Sequence, residues 1–136
     1  LRGRRGDSQP FYLHLAHYYV HTPIRTRAAW LVEKYAARLP AGSDPRRAVY
    51  GAMVEMLDHL VGQVLTTLDE LGLASNTLVV FTSDNGGEWL SRNAPFFHRK
   101  DTVWEGGIRV PAIVRWPAVV PASTATEPAS VTPLPK

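Results

Sequence analysis

The sequence predicts an α/β fold, a partial central mixed sheet flanked by helices. Two observations carry this. Val49, Met53, Met56, Leu57, Leu60, Val64, Leu68 and Leu71 recur at a helical period over about five turns. Directly after them, TLVVFT (residues 77–82) is almost continuously apolar, as in a strand covered on both faces. A long helix, a short turn and such a strand read as half of a βαβ unit.

The remaining elements follow in order. Residues 1–9 are polar and charged and read as loop. PFYLHLAHYYV, residues 10–20, is aromatic and β-branched enough for a strand that ends before HTP. In TRAAWLVEKYAARL, residues 26–39, Trp30, Leu31, Tyr35 and Leu39 lie near helical spacing. PAGSD breaks the chain there. Asp44 is placed to cap the long helix, with Pro45 at its first position. Gly72 is placed to end it in a left-handed conformation, with Leu73 folding back behind. Residues 84–107 form a long loop rich in Gly, Asn and His, and loops of that length in a domain are often functional. IRVPAIVRW, residues 108–116, is a further strand, which Pro111 assigns to an edge or a bulge.

Composition bounds the function. The chain has 136 residues, 45% hydrophobic and 20% charged, with a net charge of +3. That suits a globular domain, and no dense basic block points to nucleic acid; LRGRRG at the start is short and terminal. There is no cysteine, which excludes disulfides and thiolate metal sites. No apolar run reaches the roughly 18 residues of a membrane span. Leu1 at the start and the mid-chain look of the first residues lead us to expect a piece of a longer protein. Residues 1–117 read as one partial domain. Residues 118–136, rich in Pro, Ser, Ala and Thr, read as a tail or a truncated continuation.

Three places offer chemistry. Asp84 and Asn85 follow the apolar strand at its carboxyl end, where open α/β sheets collect ligands. A carboxylate and an amide oxygen are hard ligands for calcium or magnesium, and Gly86 and Gly87 would let the backbone pass close to an ion. The same Asn-Gly pair is also a strong hairpin-turn signal. His21 in HTP follows the first expected strand and can bind an anion or donate a proton, or be a surface histidine before a proline turn. His98, Arg99 and Lys100 in FFHRKD set three potential cations beside aromatic bulk, fit for an anionic substrate or for solvent. SDPRR, residues 43–47, spells Ser-x-Pro-x-Arg but reads as the start of the long helix.

Four segments in order resemble the sulfatase family: PFYLHLAHYYVHTP, then YGAMVEMLDHLVGQVLTTLDELGLASNTLVVFTSDNGG, NAPFFHRK and WEGGIRVPAIVRWP. They run from about Pro10 to Pro117, and the likeness is to arylsulfatases and N-acetylgalactosamine-6-sulfatases. The resemblance implies an alkaline-phosphatase-like fold and hydrolysis of sulfate esters, sulfated carbohydrates among them. It implies one divalent cation, Ca2+ rather than Mg2+, a formylglycine nucleophile made from Cys or Ser, and a periplasmic or extracellular setting. By resemblance, Asp84 and Asn85 are two metal ligands. His21 contacts the sulfate and protonates the leaving oxygen, and Lys100 binds the sulfate.

The departures are equally plain. The nucleophile segment and the first acidic metal ligands, which precede HTP in the family, are absent here. The family's arginine and glycines around the lysine become Phe97, Arg99 and Asp101, and Asp101 opposes the charge of Lys100. SDPRR lies after HTP and receives no catalytic role. The 136 residues alone are therefore expected to be inactive. Phosphate or phosphonate ester hydrolysis on the same fold, or a non-catalytic α/β module, are the alternatives.

Overall fold

The structure, a computed structural model, describes residues 1, 3 and 9–123. Most of LRGRRG and residues 124–136 of the expected tail lie outside the described residues. In chain order the elements are α1 (Ala29–Ala36), α2 (Arg46–Glu70), a 3-10 turn (Ala74–Asn76), β1 (Val79–Thr82), α3 (Glu105–Ile108) and β2 (Ala112–Arg115).

The long helix forms where its periodicity placed it. At its start the Asp44 Oδ1 accepts the Arg46 amide at 2.9 Å, and the Arg46 guanidinium pairs with the same carboxylate at 2.8 Å. These contacts, the guanidinium first, hold the Asp44 carboxyl below its ordinary range. SDPRR is thus a helix start, as its proline indicated. At the other end Gly72 has φ 68°. Its amide donates to the Asp69 carbonyl at 3.0 Å, and the Leu73 amide to that of Leu68 at 2.9 Å. This paired closure needs a left-handed residue, which glycine supplies without a Cβ clash.

The core lies between α1 and α2. Leu31, Ala48, Ala52 and Met53 are each at most 2% exposed. The helices approach closely because Gly51 leaves room for the Tyr35 ring, which a Cβ there would meet at 2.9 Å. On one flank Lys34 donates to both Glu55 oxygens, at 2.7 and 2.6 Å, and the Tyr35 hydroxyl donates to Glu55 at 2.8 Å. Trp30, expected on the packed face of α1, is instead 65% exposed. Its neighbour Leu31 takes the buried position.

Three expectations about strands are corrected. PFYLHLAHYYV forms no strand. Composition marks a segment that tolerates extension, but a strand exists only with a partner, and no described segment pairs with it. The region 108–116 is strand only from Ala112, since Ile108 closes the short helix α3. Pro111 stands just before the ladder, and its carbonyl accepts the Thr82 hydroxyl at 3.2 Å. Lastly, β1 is neither parallel nor covered on both faces here. It pairs antiparallel with β2, in register Val79↔Arg115 to Thr82↔Ala112. Its residues alternate half-buried and exposed, with Val80 59% exposed.

The α1–α2 contact yields two expected outcomes. Gly51→Val drives a branched side chain into Tyr35 and lowers stability by about 1–3 kcal/mol in urea unfolding; Gly51→Val in a Tyr35→Ala background recovers most of it. The pair Glu55–Tyr35 also brackets stability in pH. Lys34 first, then the Tyr35 hydroxyl, hold the Glu55 carboxyl low. Its contribution is full above the ordinary carboxylate range and is lost as pH falls through the lowered value. Glu55 in turn raises Tyr35. That contribution is present below the ordinary phenol value and is lost as pH rises through the raised one. Glu55→Gln flattens both limbs of the unfolding midpoint plotted against pH.

Candidate functional site

The chain leaves β1 at Ser83 and returns to β2 at Ala112, and the excursion between them carries every candidate residue except His21. Asp84 is exposed and Asn85 half-buried at the carboxyl end of β1. The Ser83 hydroxyl donates to the Asn85 carbonyl at 3.0 Å and shapes this corner. Neither side chain is engaged by another group among the described residues. The corner is not the tight hairpin that Asn-Gly can signal. Such a turn places both residues at positive φ, and neither Asn85 nor Gly86 is there. The strand's partner also lies some thirty residues on.

Backbone knits the excursion together. The Gly86 amide donates to the Gly107 carbonyl at 2.8 Å, the Gly106 amide to Phe97 at 2.8 Å, and the Lys100 amide to Gly87 at 3.1 Å. These contacts are possible only without side chains. A Cβ on Gly86 would overlap the Gly106 carbonyl, and one on Gly106 the His98 carbonyl. The sequence reading gave Gly86 and Gly87 the task of clearing space for an ion. That space is occupied by the chain itself, by Gly106 and by Ser91. Asn93, which sequence reasoning passed over, fastens the loop from within. Its amide donates to the carbonyls of Gly87 at 2.8 Å and His98 at 3.2 Å. Nothing in the sequence distinguished it from other loop asparagines.

Lys100 is half-buried, and its Nζ stands 3.4 Å from Nε2 of His21, 79 positions away in the chain. The two candidates taken from HTP and FFHRKD therefore meet. His98 and Arg99 do not join them as a cation cluster around that contact among the described interactions; Phe97 packs edge-on against His98 and against Trp104. His98 and Asp101, two residues flanking the lysine, have φ of 65° and 68°. Those are backbone conformations that glycine adopts freely and other residues at a cost of about 1–2 kcal/mol. The start of α2 is tied to the loop through Arg46, whose guanidinium lies 4.2 Å from the Trp89 ring centroid.

As a metal centre the arrangement is partial. No group of three or more His, Asp or Glu among the described residues could hold an ion. Asp84 and Asn85 nevertheless offer a carboxylate and an amide oxygen, unengaged among the described residues and adjacent in the chain, the chemistry a divalent cation of the calcium kind takes. They fit as part of a shell of roughly six to eight oxygens, not as the whole of it.

Comparison with known proteins bears on the family. A family model described as Sulfatase matches residues 3–135. The chain is 42% identical over 138 residues to the steryl-sulfatase of Rattus norvegicus, covering 93% of this chain and 22% of that protein. It is 36% identical over 128 residues to the N-acetylgalactosamine-6-sulfatase of Canis lupus familiaris, covering 90% and 22%. Among solved structures it is similar to the crystal structure of Ps i-CgsB in complex with k-i-k-neocarrahexaose. The TM-score is 0.77 with 34% identity, over 89% of this chain and 26% of that one. The α/β, alkaline-phosphatase-like class expected from the sequence stands, with three α-helices, one of them a single turn, and one antiparallel strand pair of it among the described residues. The chain spans 22% of the length of each of these two curated relatives.

The loop's construction gives two opposed outcomes. Gly106→Ala costs more than about 3 kcal/mol, beyond ordinary overpacking, because the obstacle is backbone; amide exchange at Gly106 and Lys100 accelerates together. Asp101→Gly relieves a left-handed residue and stabilises by about 1 kcal/mol, read from the same unfolding curve.

Proposed function

The chain belongs to the sulfatase family, and from that premise we propose that it is the middle-to-late part of a sulfatase catalytic domain, residues 1–117, acting on sulfate esters. The observation that carries the reading is the meeting of Lys100 and His21 across 79 positions, with the Lys100 amide bound to the carbonyl of Gly87, two residues past Asn85. A sulfate ester carries negative charge on its oxygens and develops more on the leaving oxygen. Catalysis of its hydrolysis rests on positive charge and proton donors set in place beforehand.

Each residue has a task. Lys100, a compact ammonium with three donors, binds the sulfate oxygens. Its position is fixed by its own amide on Gly87 and by the His21 ring. His21 contacts the sulfate and governs the proton at the leaving oxygen. Asp84 and Asn85 are two of the ligands of a divalent cation, Ca2+ in preference to Mg2+. When bound, such an ion supplies positive charge against the sulfate oxygens. Asp101, adjacent to Lys100, tempers the charge of that ammonium.

The substrate class we favour is a sulfated carbohydrate, in a periplasmic or extracellular setting. The likeness to a protein crystallised with a neocarrahexaose and to an N-acetylgalactosamine-6-sulfatase supports it. No helix among the described residues is long and apolar enough to cross a membrane.

The test is turnover of an aryl sulfate by the intact protein with calcium. Lys100→Ala and His21→Ala each lower kcat by about 10²–10³, and Asp84→Ala raises the calcium concentration needed for half-maximal rate. The 136 residues on their own, lacking the nucleophile segment the resemblance implies, turn over none. Rates unchanged in both the lysine and the histidine variants would overturn the reading.

A further inference from the structure

We propose that Tyr18 is a positioning residue that locks His21 in one tautomer, with the proton on Nδ1 and the Nε2 lone pair turned to Lys100. The functional consequence rests on the sulfatase reading above; the tautomer itself does not. Nδ1 of His21 lies 2.9 Å from the Thr22 carbonyl oxygen. A carbonyl only accepts, so this contact requires an N–H at Nδ1. On the other side Nε2 faces the Lys100 ammonium at 3.4 Å, a group that only donates. Before substrate parts Lys100 from the ring, one form satisfies both neighbours: neutral, protonated on Nδ1. The opposite tautomer satisfies neither, and the imidazolium turns an N–H against an ammonium.

Tyr18 builds the acceptor side. Its hydroxyl donates to the same Thr22 carbonyl at 2.7 Å, and its oxygen stands 3.2 Å from Nδ1, a second acceptor for that N–H. Its ring lies against the imidazole with centroids 5.1 Å apart. The His21 amide donates to the Tyr18 carbonyl at 2.9 Å, which closes the turn. The Thr22 hydroxyl, 3.3 Å from Nδ1, is the remaining polar neighbour. Tyr18 is itself 65% exposed, so its hydroxyl is not there to complete a core. Its effect passes through His21 to Lys100. A fixed lone pair at Nε2 holds the ammonium in one place, and an ammonium held in place loses less freedom when the sulfate arrives.

The experiment uses the intact protein labelled with ¹⁵N-histidine, the His21 signals being assigned by their loss in His21→Gln. The expected spectrum shows a protonated Nδ1 and an unprotonated Nε2 at neutral pH. In Tyr18→Phe the two nitrogens move toward an averaged position, kcat on an aryl sulfate falls about tenfold and KM changes less than about twofold. A wild-type ring protonated on Nε2 overturns the proposal. So does a Tyr18→Phe protein with an unchanged ¹⁵N spectrum. The spectral arm needs no turnover, so it fails or stands apart from the sulfatase assignment. Tyr18→Leu, which removes the aromatic ring as well, gives the same spectral change if the hydroxyl is the cause.

Discussion

The site depends on one constraint: two stretches of backbone must pass each other with nothing between them. Gly86 and Gly87 lie against Gly106, Gly107 and the turns that follow Phe97. The Gly86 amide donates across the crossing to the Gly107 carbonyl and the Lys100 amide to that of Gly87, while the Gly106 amide donates to Phe97 within its own stretch. A methyl group on Gly86 or Gly106 would displace backbone, which cannot rotate aside as a side chain can; one on Gly87 would meet the Ser91 and Asn93 side chains. Lys100 takes its place from this crossing, because its amide is bound to Gly87. The strand end with Asp84 and Asn85 is fixed by the same contact through its neighbours. Electrostatics at the site is therefore a product of close packing.

How much of this the sequence disclosed depends on the range of the interaction. The long helix was legible because its signals are local. The apolar period, Asp44 at one end and Gly72 at the other are read within a turn of where they act. The α/β class was legible for the same reason. PFYLHLAHYYV misled because a strand is a relation between two segments, and composition describes only one. The antiparallel partner of β1 was hidden in the same way, about thirty residues along. The meeting of His21 and Lys100 has no signature in spacing. It was anticipated only because four segments in order resembled one family. Asn93 and Tyr18 gave no signal at all, since what marks them is the carbonyl each reaches.

The altered surroundings of Lys100 have a structural counterpart. The resemblance puts an arginine and glycines around the lysine, and here His98 and Asp101 stand in left-handed backbone on either side of it. Here two residues other than glycine stand in a conformation that glycine adopts freely. Histidine and aspartate tolerate positive φ better than β-branched or bulky residues do. The loop thus carries some strain beside a functional lysine, which the surrounding hydrogen bonds over-determine. Asn93 holds the His98 carbonyl, and the Gly106 amide holds that of Phe97.

The four-pair ladder of β1 and β2 has a meaning beyond its size. It closes the base of the excursion that carries Asp84, Asn85 and Lys100, so the two ends of that excursion stay a strand's width apart whatever lies between them. Away from the glycine crossing, residues of the loop touch the α1–α2 core at few points, Arg46 on Trp89 being a described one. A chain built this way can revise its recognition surface in small steps while its scaffold is inherited intact. FFHRKD lies inside that frame, with the ladder at its base.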